Sequence, residues 1–340
     1  MQEIRLGTIG SGNIVRWVLN NVAKIDGIRL VAVYSRTEEK GNKLARDYGV
    51  EKVYTDMDAF LRDQDVNFVY VATPNSLHYE QTKKALLAGK NVICEKPFCT
   101  KLEQAREIAA LAKERGLILI DAVPPAFMPN LAVLKRELPK LGRVRLVMSN
   151  FSQYSSRYDS LMAGGLPNIF NPAYGGGCLM DINFYNIYLN VALFGMPRAV
   201  CYHPNLYQNM VDTSGVAVLE YDGFVSQAVG AKDTWGINFF QIEGEQGYIY
   251  VRDGSASLTE VRVVTKAGEE VFNEQTNPDR WYYEVREIVR IVRENDRAEL
   301  DRRLEVMLNV VDTLERARKS AGIRFPEDLL PENSPDSDWL

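Results

Sequence analysis

Apolar residues in the first third of the chain come as short solid runs separated by stretches of helical period. Residues 4–9, 29–34, 66–72 and 117–120 are such runs, and so is Val92-Ile-Cys-Glu-Lys-Pro-Phe98. A solid run of this length, bounded by turn residues, reads as a strand buried on both faces. Between the first two runs, Val15, Val18, Leu19 and Val22 recur at helical spacing until Gly27. Thr37 can cap a second helix carrying Leu44, Ala45 and Tyr48, closed by Gly49. Thr100-Lys-Leu-Glu103 has capping-box spacing and opens a helix with Leu102, Ala105, Ile108, Ala109 and Ala112 on one face. Strands and helices alternating in this way predict an α/β unit with a doubly wound parallel sheet.

The pattern changes after residues 121–125. Residues 144–151 read as a strand, and a helix is expected over 178–194, led by Gly175-Gly-Gly177 and closed by Gly195-Met-Pro197. Short alternating strands follow over 213–221, 224–231, 238–243, 247–252 and 257–265, with Asp222-Gly223 as a hairpin turn. This is an α+β unit with a mostly antiparallel sheet, closed by helices near 281–294 and 304–319. The expected division is 1–122, 123–325, and an acidic, Pro-rich tail over 326–340 that packs loosely.

A length of 340 residues exceeds one ordinary core, which agrees with two domains. The formal net charge of -5 argues against nucleic acid, and no apolar run is long enough to span a bilayer. The start, Met1-Gln-Glu-Ile-Arg-Leu, enters a strand directly, so no signal peptide is expected. Cys94, Cys99, Cys178 and Cys201 have no metal spacing and read as reduced thiols of a cytoplasmic protein. Two histidines, His78 and His203, leave no metal site expected.

Candidate chemistry gathers at the ends of the solid runs, where open α/β sheets bind ligands. Gly10, Ser11, Gly12, Asn13 and Ile14 form a strand-to-helix turn whose glycines let backbone N–H groups approach a pyrophosphate, although Val15 stands where a third glycine is usual. The second strand ends in Tyr34-Ser-Arg-Thr37 with no carboxylate for the ribose hydroxyls. Ser35, Arg36 and Lys40 suit a 2′-phosphate, so NADP is expected, with NAD the alternative if Arg36 is a solvated loop charge. Thr73, Pro74, Asn75 and His78 lie at the same edge. Asn75 is either a helix cap or a cofactor contact, and His78 either a satisfied structural histidine or a contact. Glu95 and Lys96 end the fourth run, as a surface charge pair or as groups facing the cofactor. Asp181 and Tyr185, four apart on one helix face, read either as a dipole charge and a core ring or as a carboxylate beside a phenolic general acid. Lys96 is the cation that would stabilise that phenolate. Arg157, Asn168 and Asn183 are weaker candidates for substrate contacts.

In their order and spacing, Gly10-Ser-Gly12, Ala72-Thr-Pro-Asn-Ser-Leu-His78, Glu95-Lys-Pro97, Gly175-Gly-Gly177 with Asp181, and Gln241-Ile-Glu-Gly-Glu-Gln-Gly247 resemble the glucose–fructose oxidoreductase / inositol dehydrogenase / rhizopine-catabolism family, Gfo/Idh/MocA. The resemblance implies an NAD(P)-dependent oxidoreductase of sugars, cyclitols or polyols. It implies an N-terminal Rossmann domain and a C-terminal domain whose large open sheet makes a homodimer or homotetramer. It assigns the family's catalytic Lys to Lys96 and its Asp to Asp181. Many members carry His four residues after that Asp; Tyr185 instead resembles glucose–fructose oxidoreductase and the dimeric dihydrodiol dehydrogenases, which use Tyr as the acid/base. The run Pro124-Pro-Ala-Phe-Met-Pro129 departs from the family and leaves the substrate open, including the alternative of a non-catalytic NAD(P)-binding regulator.

Overall fold

The computed structural model describes residues 3–329. Strands β1 (Ile4–Ile9), β2 (Ile28–Tyr34), β3 (Lys52–Tyr54), β4 (Phe68–Val71), β5 (Asn91–Glu95) and β6 (Leu119–Ala122) form a parallel sheet. Their spatial order is β3-β2-β1-β4-β5-β6, so the connection reverses between β1 and β4 and opens a crevice at their carboxyl ends. All four residues of β4 are buried, as a central strand covered on both faces requires.

A second sheet contains β7 (Val144–Ser152), β8 (Ala199–Leu206), β9 (Asp212–Tyr221), β10 (Phe224–Ala231), β11 (Phe239–Gly244), β12 (Gly247–Arg252), β13 (Glu260–Thr265) and β14 (Gly268–Phe272). Its order is β14-β13-β12-β11-β7-β10-β9-β8, antiparallel throughout except where β10 pairs with β7. Asp222-Gly223 turns the β9–β10 hairpin, with Tyr221 opposite Phe224. One face buries Val147, Ala228, Ile242 and Ile249, and the helix Phe184–Phe194 packs against this sheet. Along the other face, Val225 and Tyr248 are exposed.

Four local expectations change. The box at Thr100–Glu103 does not close: the Leu102 N–H is capped by Glu315 Oε2 at 2.7 Å, from the helix Arg297–Ser320. That helix and Arg280–Glu294 were expected to close the second domain; they also pack on the first, against the Leu102–Glu114 and Asn13–Val22 helices respectively. β3, β14 and the helix Pro129–Glu137 carry no strong period and went unread. The tail is docked at its start, because Asp328 pairs with the fully buried Arg318 and accepts from the Phe325 N–H at 2.8 Å. Residues 330–340 lie outside the described residues.

Candidate active site

Gly10 follows β1 with φ of 119°, and a Cβ there would lie 2.3 Å from the Ala72 carbonyl oxygen. Only glycine fits. Gly12 then begins the helix Asn13–Val22 without a side-chain cap, and nothing lies within 4 Å of where its Cβ would be. Free backbone N–H groups with open space above them are an anion site. The space is a cleft of about 990 Å³. Its floor is Gly10, Ser11, Gly12, Asn13 and Ile14, with Thr73, Pro74 and Asn75 beside them. Ser35, Arg36 and Lys40 line one end, where no acidic residue faces the cavity. Arg157, Asn168 and Gly176 form the opposing wall, and Asn75 Nδ2 donates to the Gly175 carbonyl at 2.8 Å. The uncapped N-terminus, the open approach over Gly12 and the exposed cations Arg36 and Lys40 fit a dinucleotide with its phosphates over the turn.

Lys96 stands just beyond β5 with its side chain 12% exposed. Its Nζ donates to Asp181 Oδ1 and to the Asp181 carbonyl, both at 2.9 Å. Lys232, the first residue after β10, holds Asp181 Oδ2. Burial alone would raise the Asp181 carboxyl; the two ammonium groups overcome it and hold Asp181 well below the usual carboxylate range. Burial opposes the Lys96 charge, yet Asp181, and the Tyr185 and Glu95 side chains, hold its pKa above the ordinary lysine value. The site therefore carries a fixed carboxylate and a fixed ammonium at neutral pH.

Asp181 is presented by a wide π-helical turn, Leu179–Asn183, that continues as the helix Phe184–Phe194. Gly177 makes the approach, with φ of 127° and a missing Cβ that would lie 2.0 Å from Asp212 Oδ1. Asp212 Oδ2 accepts from the Leu179 N–H at 2.6 Å and from the Tyr202 hydroxyl at 2.7 Å. The Tyr185 ring centroid lies 5.0 Å from Lys96 Nζ and 5.5 Å from the Arg280 guanidinium carbon. Phe184 and Phe151 pack edgewise or tilted against the ring at 5.5 and 5.9 Å between centroids.

Three expected contacts turn away from the cleft. Asn183 is fully buried; its Nδ2 donates to the Ala228 carbonyl at 3.1 Å and its Oδ1 accepts from Asn186, so it ties its helix to β10 rather than meeting substrate. The buried His78 ring lies between the Pro97 and Thr73 carbonyls at 2.8 and 2.9 Å, bracing the two loops. Burial, reinforced by the Lys96 charge, outweighs both carbonyls and keeps its pKa below the usual histidine value. Glu95 points into the core, where its Oε1 accepts from the Tyr70 hydroxyl at 2.5 Å and burial raises its pKa. The site also contains residues that sequence reasoning missed: Lys232, Asp212 and Arg280. A lone lysine ending an apolar strand was the available signal for Lys232.

A Rossmann cleft, together with a Lys–Asp pair and a phenol gathered beyond the carboxyl end of β5, is the architecture of an NAD(P)-dependent oxidoreductase. The profile described as oxidoreductase family, NAD-binding Rossmann fold, matches residues 4–122, and the GFO/IDH/MocA C-terminal domain matches residues 139–250. The chain belongs to the GFO/IDH/MocA family. It is 33% identical over 326 residues to the scyllo-inositol 2-dehydrogenase (NADP(+)) IolU of Bacillus subtilis, covering 96% of this chain and 99% of that one. The trans-1,2-dihydrobenzene-1,2-diol dehydrogenase of Sus scrofa is 26% identical, over 88% of this chain and 91% of its own. The fold is that of KijD10, a 3-ketoreductase from Actinomadura kijaniata solved with NADP and TDP-benzene, with a TM-score of 0.82, 23% identity, and coverage of 94% and 98%.

Proposed function

We propose that this oxidoreductase uses NADP(H) to interconvert a carbonyl and a secondary alcohol on a sugar-like molecule, with Tyr185 as acid/base. The observation that carries this reading is that Lys96 meets both Asp181, at 2.9 Å, and the face of the Tyr185 ring, at 5.0 Å, beyond the carboxyl end of β5.

The nicotinamide, when bound, supplies or accepts the hydride. Gly12 and the N–H groups of the helix it opens would hold the pyrophosphate, and Arg36 and Lys40 would hold a 2′-phosphate. In reduction, the Tyr185 hydroxyl gives its proton to the carbonyl oxygen as that oxygen gains charge; in oxidation it takes the proton back. The Lys96 ammonium stabilises negative charge on the same oxygen in a site shielded from water. Asp181 aims Lys96, and Lys232 fixes Asp181. Arg157 and Asn168 face substrate or cofactor from the opposing wall. Affinity for NADP and a sugar-like substrate is supported by the cations at the cleft end and by the names of the relatives. The exposed face of the second sheet, with Val225 and Tyr248, suits a homodimer or homotetramer. No helix of the described residues is long and apolar enough to cross a membrane, and a cytoplasmic location is part of the proposal.

The test is NADPH oxidation by purified protein with ketoses, cyclitol ketones and diketones. Turnover with at least one carbonyl is expected. Tight NADPH binding with no turnover across the panel contradicts an enzyme and favours a cofactor-binding regulator.

A further inference from the structure

Three cations line the dinucleotide cleft and, among the described residues, no carboxylate does. Arg36 and Lys40 stand together at one end. The third, Arg157, comes from the opposing wall, with Asn168, Tyr174 and Gly176. The floor, Gly10 to Ile14 with Thr73, Pro74 and Asn75, brings backbone N–H groups and no charged side chain. Arg157 is exposed, and among the described residues it pairs with no carboxylate. Its neighbour Asp159 is already taken, accepting from the Tyr154 hydroxyl at 2.6 Å.

The wall that carries Arg157 has a scaffold of its own. Leu161, Phe170 and Val211 bury one another in a small separate core, with Tyr158, Ile169 and Tyr207 packed around it. Just before Arg157, the Gln153 and Ser155 N–H groups donate to the Ala231 and Lys232 carbonyls, both at 2.8 Å, and the Arg157 N–H donates to Ser155 Oγ at 3.2 Å. At its far end the wall seats on the first domain. Asn75 Nδ2 reaches the Gly175 carbonyl, and a Cβ on Gly175, whose φ is 64°, would lie 2.9 Å from Thr100 Cγ2. One residue on, a Cβ on Gly176 would lie 2.7 Å from the Ile169 carbonyl oxygen. The wall is thus tied to both domains, and it presents an uncompensated guanidinium to the same cavity as the Gly12 turn.

NADP presents two anionic groups, a 2′-phosphate and a pyrophosphate. Arg36 and Lys40 match the first. The uncapped N-terminus at Gly12 can bond the second, but it supplies only the partial charge of a helix end, about half an elementary charge. A planar guanidinium from the opposite side adds a full charge and can bond two phosphate oxygens at once. A neutral polyol would give the same guanidinium no counter-charge.

We propose that Arg157 bonds the pyrophosphate of the cofactor from the opposing wall, so that the dinucleotide is clasped between the two domains. This rests on the NADP(H) reading of the cleft and is independent of which carbonyl, if any, is reduced. The test is binding without substrate. NADPH, NADH and 2′-AMP, which has the 2′-phosphate and no pyrophosphate, are titrated into wild type, Arg157→Ala, Arg157→Lys and Arg36→Ala by calorimetry. Arg157→Ala should weaken NADPH and NADH alike, by about ten-fold or more, as the loss of one charge-assisted contact requires, and leave 2′-AMP unchanged. Arg157→Lys keeps the charge without the fork and should recover part of the loss. Arg36→Ala should instead weaken NADPH and 2′-AMP and spare NADH. A loss in Arg157→Ala confined to NADPH and 2′-AMP, or no loss at all, overturns the clasp. Arg157-dependent binding of both dinucleotides with no turnover of any carbonyl supports the clasp even as it overturns the dehydrogenase reading. Wild-type protein that binds neither dinucleotide overturns both.

Discussion

Lys232 grips the Oδ2 oxygen of Asp181 while Lys96 donates to Oδ1, so one carboxylate is clamped between ammonium groups from two different sheets. Lys232 is 7% exposed and has no evident access to a reacting molecule; its effect runs through Asp181. Lys232→Met leaves a buried carboxylate with one partner and should destabilise the protein by about 3 kcal/mol, the usual cost of breaking such a pair. Denaturant unfolding measures this. Turnover should fall with unchanged NADPH affinity, and Lys232→Arg should recover part of both losses.

Arg36 faces the cofactor cleft without an acidic neighbour in its lining. A charge-assisted contact to a 2′-phosphate contributes about 1.5–3 kcal/mol. Arg36→Ala is therefore expected to weaken NADPH binding by about 10- to 100-fold and leave NADH nearly unchanged. Fluorescence titration with both cofactors measures this; equal losses for the two would assign Arg36 no part in choosing between them.

Asp121 ends up behind the site, at β6, where burial lifts its carboxyl from 3.8 to about 6 against the pull of Arg303. The folded chain holds this proton over a range in which the unfolded chain has released it. The cost of ionising Asp121 is thus absent below pH 3.8 and complete above about pH 6, where it amounts to roughly 3 kcal/mol. Asp121→Asn should gain on wild type as pH rises across that window. Parallel Tm measurements at several pH values check the sign.

Asp328 supplies the counter-charge to Arg318, and the two side chains are 3% and 0% exposed. Asp328→Ala strands a buried guanidinium and should cost about 3–5 kcal/mol. Chemical denaturation tests it, with Asp328→Glu as the milder control.

That contact also shows where sequence patterning stops being informative. The parallel sheet was legible because each solid run and each helical period is local, and the glycine turn, Arg36 and Lys96 sit at positions fixed by where those runs end. Lys96 with Asp181 was legible as a family pattern. Lys232 was not, because it lies 51 residues from Asp181 and resembles any lysine at a strand end. The Thr100 cap failed for a related reason: the Thr100 hydroxyl donates instead to Glu327, 227 residues later, and the Leu102 N–H is capped by Glu315, 213 residues later. Asn183 misled because a polar residue next to Asp181 reads as a ligand contact, whereas the wide first turn of its helix directs it into the sheet. An acidic, Pro-rich segment reads as loose until its carboxylate meets a buried arginine.

The central claim is that the phenol beside Lys96 moves the proton. The most direct measurement is kcat/KM of Tyr185→Phe on a substrate identified by the NADPH panel, paired with its NADPH affinity. Loss of at least about 10²-fold in kcat/KM, at unchanged NADPH affinity, is the result expected when a positioned acid is removed. Turnover within a few-fold of wild type would contradict the account and move the proton transfer to another group.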